Sequence, residues 1–344
     1  METTVRVGVI GLGFMGRTHI AAYQAARAAG YACDLVAVAD RDAVRLTGRV
    51  DAPAGNMSTG GEGDQPLLFD PAVVRGFTDA HVLLHDPGVD LVSICTHTDT
   101  HVSLALAALE AGKHVLLEKP VALSVAEVRR VADAARASGR VCMPAMCMRF
   151  WPAWAWLKAR IVSGEFGRVH TAMFQRLGSA PAWGVGFYGD ASKSGGALVD
   201  LHIHDTDFVH YCFGPPRGVT CCGTLNHLTT MYHYDHGPRQ VVAEGGWGQA
   251  PGFGFRMRYV VNFERGTADF DLGREAAADG TSRQLLWHEG SSTTAVDVGL
   301  LSGYDGEVRH LIDVIQGKAS LLATVEDAAA VMRTVELERG AVGG

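Results

Sequence analysis

Between Val5 and Gly16 the chain reads Val-Arg-Val-Gly-Val-Ile-Gly-Leu-Gly-Phe-Met-Gly, and a stretch of helical spacing follows. A short run rich in β-branched residues passes straight into Gly-x-Gly-x-x-Gly, a junction that few folds accommodate. Gly11 permits a tight turn, Gly13 removes a side chain where backbone must approach a ligand, and Gly16 lets helix and strand pack closely. The amino end of such a helix presents N–H groups and a partial positive charge, which suits a pyrophosphate. The pattern predicts the first strand, turn and helix of a doubly wound domain, with Gly11, Gly13, Phe14, Met15 and Gly16 lining a dinucleotide.

The second strand-like run, Leu35 to Ala39, ends at Asp40. A carboxylate there accepts the ribose hydroxyls of an adenosine and repels a 2′-phosphate, which favours NAD. Arg41 beside it keeps NADP open, because a guanidinium takes a phosphate in bidentate fashion. Further strands are expected at Leu91–Cys95, His114–Leu117 and Arg140–Met143, alternating with helices near Gly16–Ala29, Thr100–Ala111 and Ser124–Ala137, the last opening on a Ser124-x-x-Glu127 capping box. Asp51–Asp70, dominated by Gly, Pro, Ser and Asp, reads as a long surface insertion.

From about Phe166 the rhythm changes to successive strand-like runs separated by Gly-rich turns: Val169–Arg176, Gly218–Thr224, Gln240–Trp247, Phe255–Phe263, Thr267–Leu272 and Arg283–Trp287. Hairpin spacing without long intervening helices predicts a mostly antiparallel sheet. Two helices close the chain, near Gly303–Gln316 and Val325–Glu338. The expected architecture is an α/β Rossmann dinucleotide-binding domain over 1–146, then an α+β domain with a large, mostly antiparallel open sheet over 147–302. The closing 303–344 helices are expected to pack back on the first domain, and the site to lie in the crevice between the domains.

Composition narrows the partners. Thirty basic against 37 acidic residues among 344, without a basic run, argue against a nucleic-acid binder. No apolar stretch is long enough to span a membrane, and the amino terminus lacks a signal-peptide pattern, so a cytoplasmic location is expected. Seven cysteines, none in a C-x-x-C pair, read as reduced thiols.

Two further motifs carry chemistry. His114–Leu117 ends in Glu118-Lys119-Pro120, at the carboxyl end of a parallel strand where such sheets bind ligands. Lys119 there can donate to a substrate oxygen and stabilise a developing alkoxide, although a solvated Glu-Lys pair is the blander reading. The other motif is Gly195-Gly196-Ala197-Leu198-Val199-Asp200-Leu201-His202-Ile203-His204-Asp205. On a helix from about Leu198, Asp200 and His204 share a face while His202 points elsewhere. A carboxylate that orients a histidine and raises its pKa makes a proton acceptor near pH 7, and a plain helix-face contact is the alternative.

Taken together, Gly11–Gly16, Asp40, the strand Val89–Thr96 followed by His101, Glu118-Lys119-Pro120 and the Gly-Gly…Asp200…His204 segment resemble the Gfo/Idh/MocA family of oxidoreductases, which includes glucose-fructose oxidoreductase and inositol dehydrogenase. The resemblance covers nearly the whole chain. It implies a bound nicotinamide cofactor, a catalytic trio matching Lys119, Asp200 and His204, a cis Lys119–Pro120 peptide, and a carboxy-terminal sheet whose open face makes subunit contacts in a homodimer or homotetramer. Thr96-His97 stands where the family commonly has Thr-Pro, and the 51–70 insertion is a second departure.

Hydride transfer from a secondary alcohol needs a base at the hydroxyl while the same carbon faces the nicotinamide. His204 is assigned as acid/base, Asp200 as its positioning partner and a substrate contact, and Lys119 as the donor to the reacting oxygen, oriented by Glu118. Thr96, His97, His101 and Glu118 are expected along the cofactor with Lys119. Arg149, Trp183, Tyr188 and Lys193 are candidate substrate contacts, with core packing as the alternative for the neighbouring Trp154 and Trp156. No metal is expected, since His97/His101 and His202/His204/Asp205 lack a convincing full ligand set. A sugar, inositol or related polyol is the expected substrate. Alternatives are an enzyme that retains NAD and oxidises a sugar transiently during cleavage, or a non-catalytic NAD-binding protein.

Overall fold

The computed structural model describes residues 3–49, 67–181, 185–188, 190–276 and 282–342. Most of the 51–70 insertion, as far as residue 66, and Trp183 lie outside the described residues. The chain divides into two compact units, Met1–Cys147 with Gly303–Ala329, and Met148–Ser302 with Ala330–Gly344.

In the first unit, strands β1 (Val5–Ile10), β2 (Cys33–Ala39), β3 (Arg75–Phe77), β4 (Leu91–Ile94), β5 (His114–Leu117) and β6 (Cys142–Pro144) alternate with helices α1 (Phe14–Ala28), α2 (Ala80–Leu84), α3 (Thr98–Glu110) and α4 (Val125–Ser138). The strands form one parallel sheet in the order β3-β2-β1-β4-β5-β6. Every residue of β4 is buried, as expected for a strand covered on both faces. On α1 the buried residues Gly16, His19, Ile20, Tyr23 and Ala26 recur at helical spacing. Ser124 caps α4, its hydroxyl accepting from the Glu127 N–H and donating to the Glu127 carboxylate. The sheet order reverses at β1, so the segments following β1, β2, β4 and β5 leave the carboxyl ends of neighbouring strands.

The second unit begins near α5 (Pro152–Ser163) and β7 (Val169–Leu177), passes through the short helical turns α6 (Val185–Tyr188) and α7 (Ala191–Ser194) and a π-helical turn, Leu198–His202, and continues as α8 (Ile203–Phe213). Then come β8 (Gly218–Thr224), β9 (His227–His233), β10 (Gln240–Gly246), β11 (Arg256–Phe263), β12 (Thr267–Asp271), β13 (Leu285–Glu289) and β14 (Ser292–Ala295). The eight strands order as β14-β13-β12-β11-β7-β10-β9-β8, and only β7 with β10 runs parallel. Trp154 is fully buried and packs on Phe174, Phe208, Tyr259 and Phe270, which fixes α5 and α8 on one face of this sheet.

Helices α9 (Gly303–Ile315) and α10 (Val325–Val342) close the chain. α9 joins the first unit, where it packs on α1. From Ala330 onward, however, α10 belongs to the second unit, which corrects the expectation that all of 303–344 returns to the first domain. The physical reason is its polar anchoring: His210 bonds Thr334 at 2.9 Å and Tyr232 bonds Glu338 at 3.1 Å.

Candidate functional site

At the β1–α1 junction the three glycines meet three different constraints. Gly11 has φ +86°, and a Cβ there would lie 2.7 Å from the Cys95 carbonyl oxygen. A Cβ on Gly16 would lie 1.8 Å from the Gly11 carbonyl oxygen, so strand turn and helix start touch through backbone alone. Gly13, the N-cap of α1, has open space beside it. No side chain caps α1, and its first turn, which carries Phe14 and Met15, holds no acidic residue. An anion brought to Gly13 therefore meets backbone N–H groups and the positive end of a helix whose own first turn carries no carboxylate. These features fit a dinucleotide pyrophosphate.

Asp40 closes the same loop from the end of β2. Its Oδ2 accepts the Leu12 N–H at 2.7 Å and lies 3.3 Å from the Arg45 guanidinium, while Oδ1 accepts the Asp42 N–H at 2.9 Å. A carboxylate offers about four acceptor positions. Three are engaged, leaving room for one ribose hydroxyl; a second requires Arg45, whose side chain is 41% exposed, to move away. The guanidinium at this carboxylate is thus that of Arg45, which sequence reasoning missed, and Arg41 is exposed. The legible signal is a second arginine four residues further on.

After β4, Thr96 is half-buried, and its hydroxyl lies 2.7 Å from that of Thr100; His97 is the exposed N-cap of α3. His101 departs from expectation. It is 1% exposed, and its two ring nitrogens face the carbonyls of Pro120, at 2.8 Å, and Thr96, at 3.0 Å. It ties together the loops that follow β4 and β5 instead of lining a cofactor surface. Burial holds its pKa below the ordinary histidine value against the pull of those carbonyls, so the ring is neutral and donates to one of them at a time.

Glu118 is also buried, and its role differs from a direct orientation of the Lys119 amine. Its Oε1 pairs with His19 Nε2 at 3.0 Å, and its Oε2 accepts the Lys119 backbone N–H at 3.0 Å. His19 in turn meets Ser93, which meets the Tyr23 hydroxyl. Burial pushes the Glu118 carboxyl up, but the hydrogen bond and charge of His19, with Lys119 and His101 nearby, outweigh it and bring the pKa below the ordinary value. The peptide between Lys119 and Pro120 is cis. Lys119 itself is half-buried at the carboxyl end of β5. His19 carries no assignment from the sequence; a polar residue on the buried stripe of α1 is its signal.

In the second unit Gly195 and Gly196, at φ +75° and +72°, lead into the π-turn. A Cβ on Gly196 would lie 2.7 Å from the Leu225 carbonyl oxygen, and that same carbonyl accepts the Leu198 N–H at 2.9 Å. Asp200 and His204 are both half-buried, whereas His202 between them is fully buried. One extra residue in a helical turn rotates the residues after it, and such turns cluster at functional sites. Asp205 and Asp207, on the same segment, are locked by bidentate pairs with Arg176 and Arg149.

Those pairs correct one assignment. Arg149, expected to reach substrate hydroxyls, is 4% exposed and holds Asp207 while lying over the Tyr211 ring. A buried carboxylate needs its cation, so Arg149 is committed to the fold. Tyr188 packs edge-on against Trp247, and Lys193 is exposed and paired with Asp190 at 3.2 Å. Among the described residues, no group of three or more His, Cys, Asp or Glu side chains is placed to hold a metal ion.

Comparison with known proteins adds an independent line. Residues 5–146 match the family model described as "Oxidoreductase family, NAD-binding Rossmann fold", and residues 154–269 match the "GFO/IDH/MocA C-terminal domain". Over 220 residues the chain is 32% identical to scyllo-inositol 2-dehydrogenase (NAD(+)) of Bacillus subtilis, covering 62% of this chain and 55% of that protein. Over 129 residues it is 36% identical to D-glucoside 3-dehydrogenase of Escherichia coli, covering 37% and 36% respectively. The chain thus spans about half, or less, of the length of these curated relatives. Its fold is similar to that of levoglucosan dehydrogenase solved with NADH and levoglucosan, at a TM-score of 0.81 and 20% identity over 99% of this chain and 98% of that one.

Proposed function

The chain belongs to the GFO/IDH/MocA family, and on that premise we propose that it transfers a hydride between NAD and a secondary hydroxyl of a sugar, inositol or related polyol. The observation that carries the reading is the alternation in the π-turn segment: Asp200 and His204 stay accessible while His202 is fully buried. The inositol and glucoside dehydrogenases among the relatives support the substrate class.

Gly11, Gly13 and Gly16 would hold the pyrophosphate with the first turn of α1, and Asp40 the adenosine ribose. A carboxylate at the ribose favours NAD over NADP, while Arg45 leaves a route for a 2′-phosphate. When bound, the nicotinamide accepts or returns the hydride. A ring nitrogen of His204 takes the hydroxyl proton, Asp200 fixes that ring and binds the hydroxyl, and the Lys119 ammonium donates to the oxygen as negative charge develops on it. Glu118 sets the Lys119 backbone through the N–H that it accepts.

The proposal includes self-association through the second sheet. Met231, Val242, Met173 and Val260 sit in one cross-strand row, and the two methionines are about 40% exposed. An apolar row on an open sheet favours a homodimer or homotetramer. Among the described residues no helix is long and apolar enough to cross a membrane, and five buried free cysteines fit a reducing cytoplasm.

The test is a screen of sugars, sugar acids and inositols with NAD and NADP, followed at the reduced-nicotinamide absorbance. With the best substrate, His204→Ala and Lys119→Ala should each lose about 100- to 10,000-fold in kcat while the Kd for NAD stays within about twofold. Full activity in either variant overturns that residue's assignment. Cleaved product without net NADH would replace the dehydrogenase reading with transient oxidation.

A further inference from the structure

Val331, Val335 and Glu338 recur at helical spacing on α10, and all three are 0% exposed. A glutamate on an apolar stripe is costly unless its charge is compensated. Among the described residues no lysine or arginine pairs with Glu338. Its carboxylate accepts from the Tyr232 hydroxyl at 3.1 Å and from the Thr206 hydroxyl at 3.3 Å, and it faces His202 Nε2 at 3.4 Å. His202 Nε2 also lies 3.1 Å from Thr230 Oγ1 and 3.3 Å from the Tyr232 hydroxyl. The other ring nitrogen, Nδ1, is buried without a hydrogen-bond partner, against Gly245, where a Cβ would meet it at 2.6 Å.

The cluster has a particular address. His202 is the last residue of the π-turn, two positions from Asp200 and two from His204, while Thr206 is in the first turns of α8. Glu338 therefore grips the helix on both sides of His204 from a different part of the chain. The missing side chain at Gly245 lets the His202 ring sit deep enough to be reached. A purely apolar contact would bury these helices as well but would not fix the rotation of the turn, whereas directional hydrogen bonds do.

We propose that Glu338 is a positioning residue for the reactive pair: by holding His202 and Thr206 it sets the pitch of the π-turn, and so the direction in which Asp200 and His204 project. The consequence for catalysis rests on the proton-handling reading of Asp200 and His204 given above. The consequence for the turn does not.

Glu338→Gln keeps the size of the side chain and removes its charge. In this variant, amide hydrogen exchange over residues 198–206 should quicken about tenfold while strand β7 stays as protected as before. With a substrate that the wild type oxidises, kcat should fall about 10- to 100-fold with the Kd for NAD unchanged. His202→Gln should reproduce both effects, and the double variant should be no worse than either single one, because one linkage has been cut. Thr206→Val carries the same two measurements should Glu338→Gln fail to fold. Unchanged exchange overturns the proposal, and so does faster exchange with full kcat. Should the wild type oxidise no polyol, the functional reading fails alone and exchange still decides the positioning claim.

Discussion

The β1–α1 turn of the first unit and the π-turn of the second each carry candidate site residues, but they are built in opposite ways. The first is made of backbone: glycines at 11, 13 and 16 determine where the chain passes, and Asp40 braces the turn through the Leu12 N–H. The second is held by side chains drawn from far along the chain, with Arg149 and Arg176 on the aspartates of the adjoining α8 and Thr230, Tyr232 and Glu338 around His202. A turn specified by missing side chains is robust to everything except the addition of one. A turn specified by buried charges depends on every partner being present.

The largest expected effect breaks the second kind. Arg149→Ala leaves Asp207 buried without its cation and should cost about 3–5 kcal/mol, read as a loss in denaturant midpoint at constant m. Replacing both, as Arg149→Met with Asp207→Leu, should recover more than half of that loss, since two apolar groups need no compensation. If the double variant is as unstable as the single one, the pair specifies the segment by shape and not by charge.

Gly16→Ala tests the first kind and comes next. Its Cβ has no room beside the Gly11 carbonyl, so the turn must shift, at about 1–3 kcal/mol in stability with a fall in NAD affinity. Gly13→Ala is the control, because open space surrounds that position: unfolding should be nearly unchanged while the Kd for NAD rises. Equal effects of the two substitutions on stability would remove the distinction between packing glycine and ligand-facing glycine.

Legibility in the sequence divides along the same line. The glycine turn, Asp40 and the Ser124 capping box are local patterns, and each lies where its spacing places it. Strand β3 escapes sequence reasoning because three residues, two of them exposed, carry no periodicity. Arg149 is misassigned from sequence because a charged residue beside aromatic ones looks the same whether it faces a substrate or a buried aspartate 58 residues away. Helical phase correctly sets His202 apart from Asp200 and His204, yet nothing near it announces Glu338. Local backbone constraints are written in adjacent residues; compensation of buried charge is not.

A smaller effect refines the nucleotide end. Arg45→Ala frees a position on Asp40 and removes the cation available to a 2′-phosphate, so the preference for NAD over NADP should rise by about tenfold, a shift of about 1.4 kcal/mol. Ratios of kcat/KM with the two cofactors measure it. A lower preference would mean that Arg45 serves the NAD ribose directly.

The smallest effect concerns pH and separates the two loops tied by His101. Its folded pKa lies below the ordinary value of 6.5, so the unfolded chain binds the proton more readily and stability drains away as pH falls from about 6.5 through the folded value. Glu118, held below 4.5, adds its own loss only at more acidic pH. Tm measured between pH 7.5 and 5 should therefore decline in the wild type and decline less in His101→Asn, which keeps a donor for one carbonyl but has no proton to gain in that range. An identical slope in both would place the acid sensitivity elsewhere and leave His101 as a neutral tie between the ends of β4 and β5.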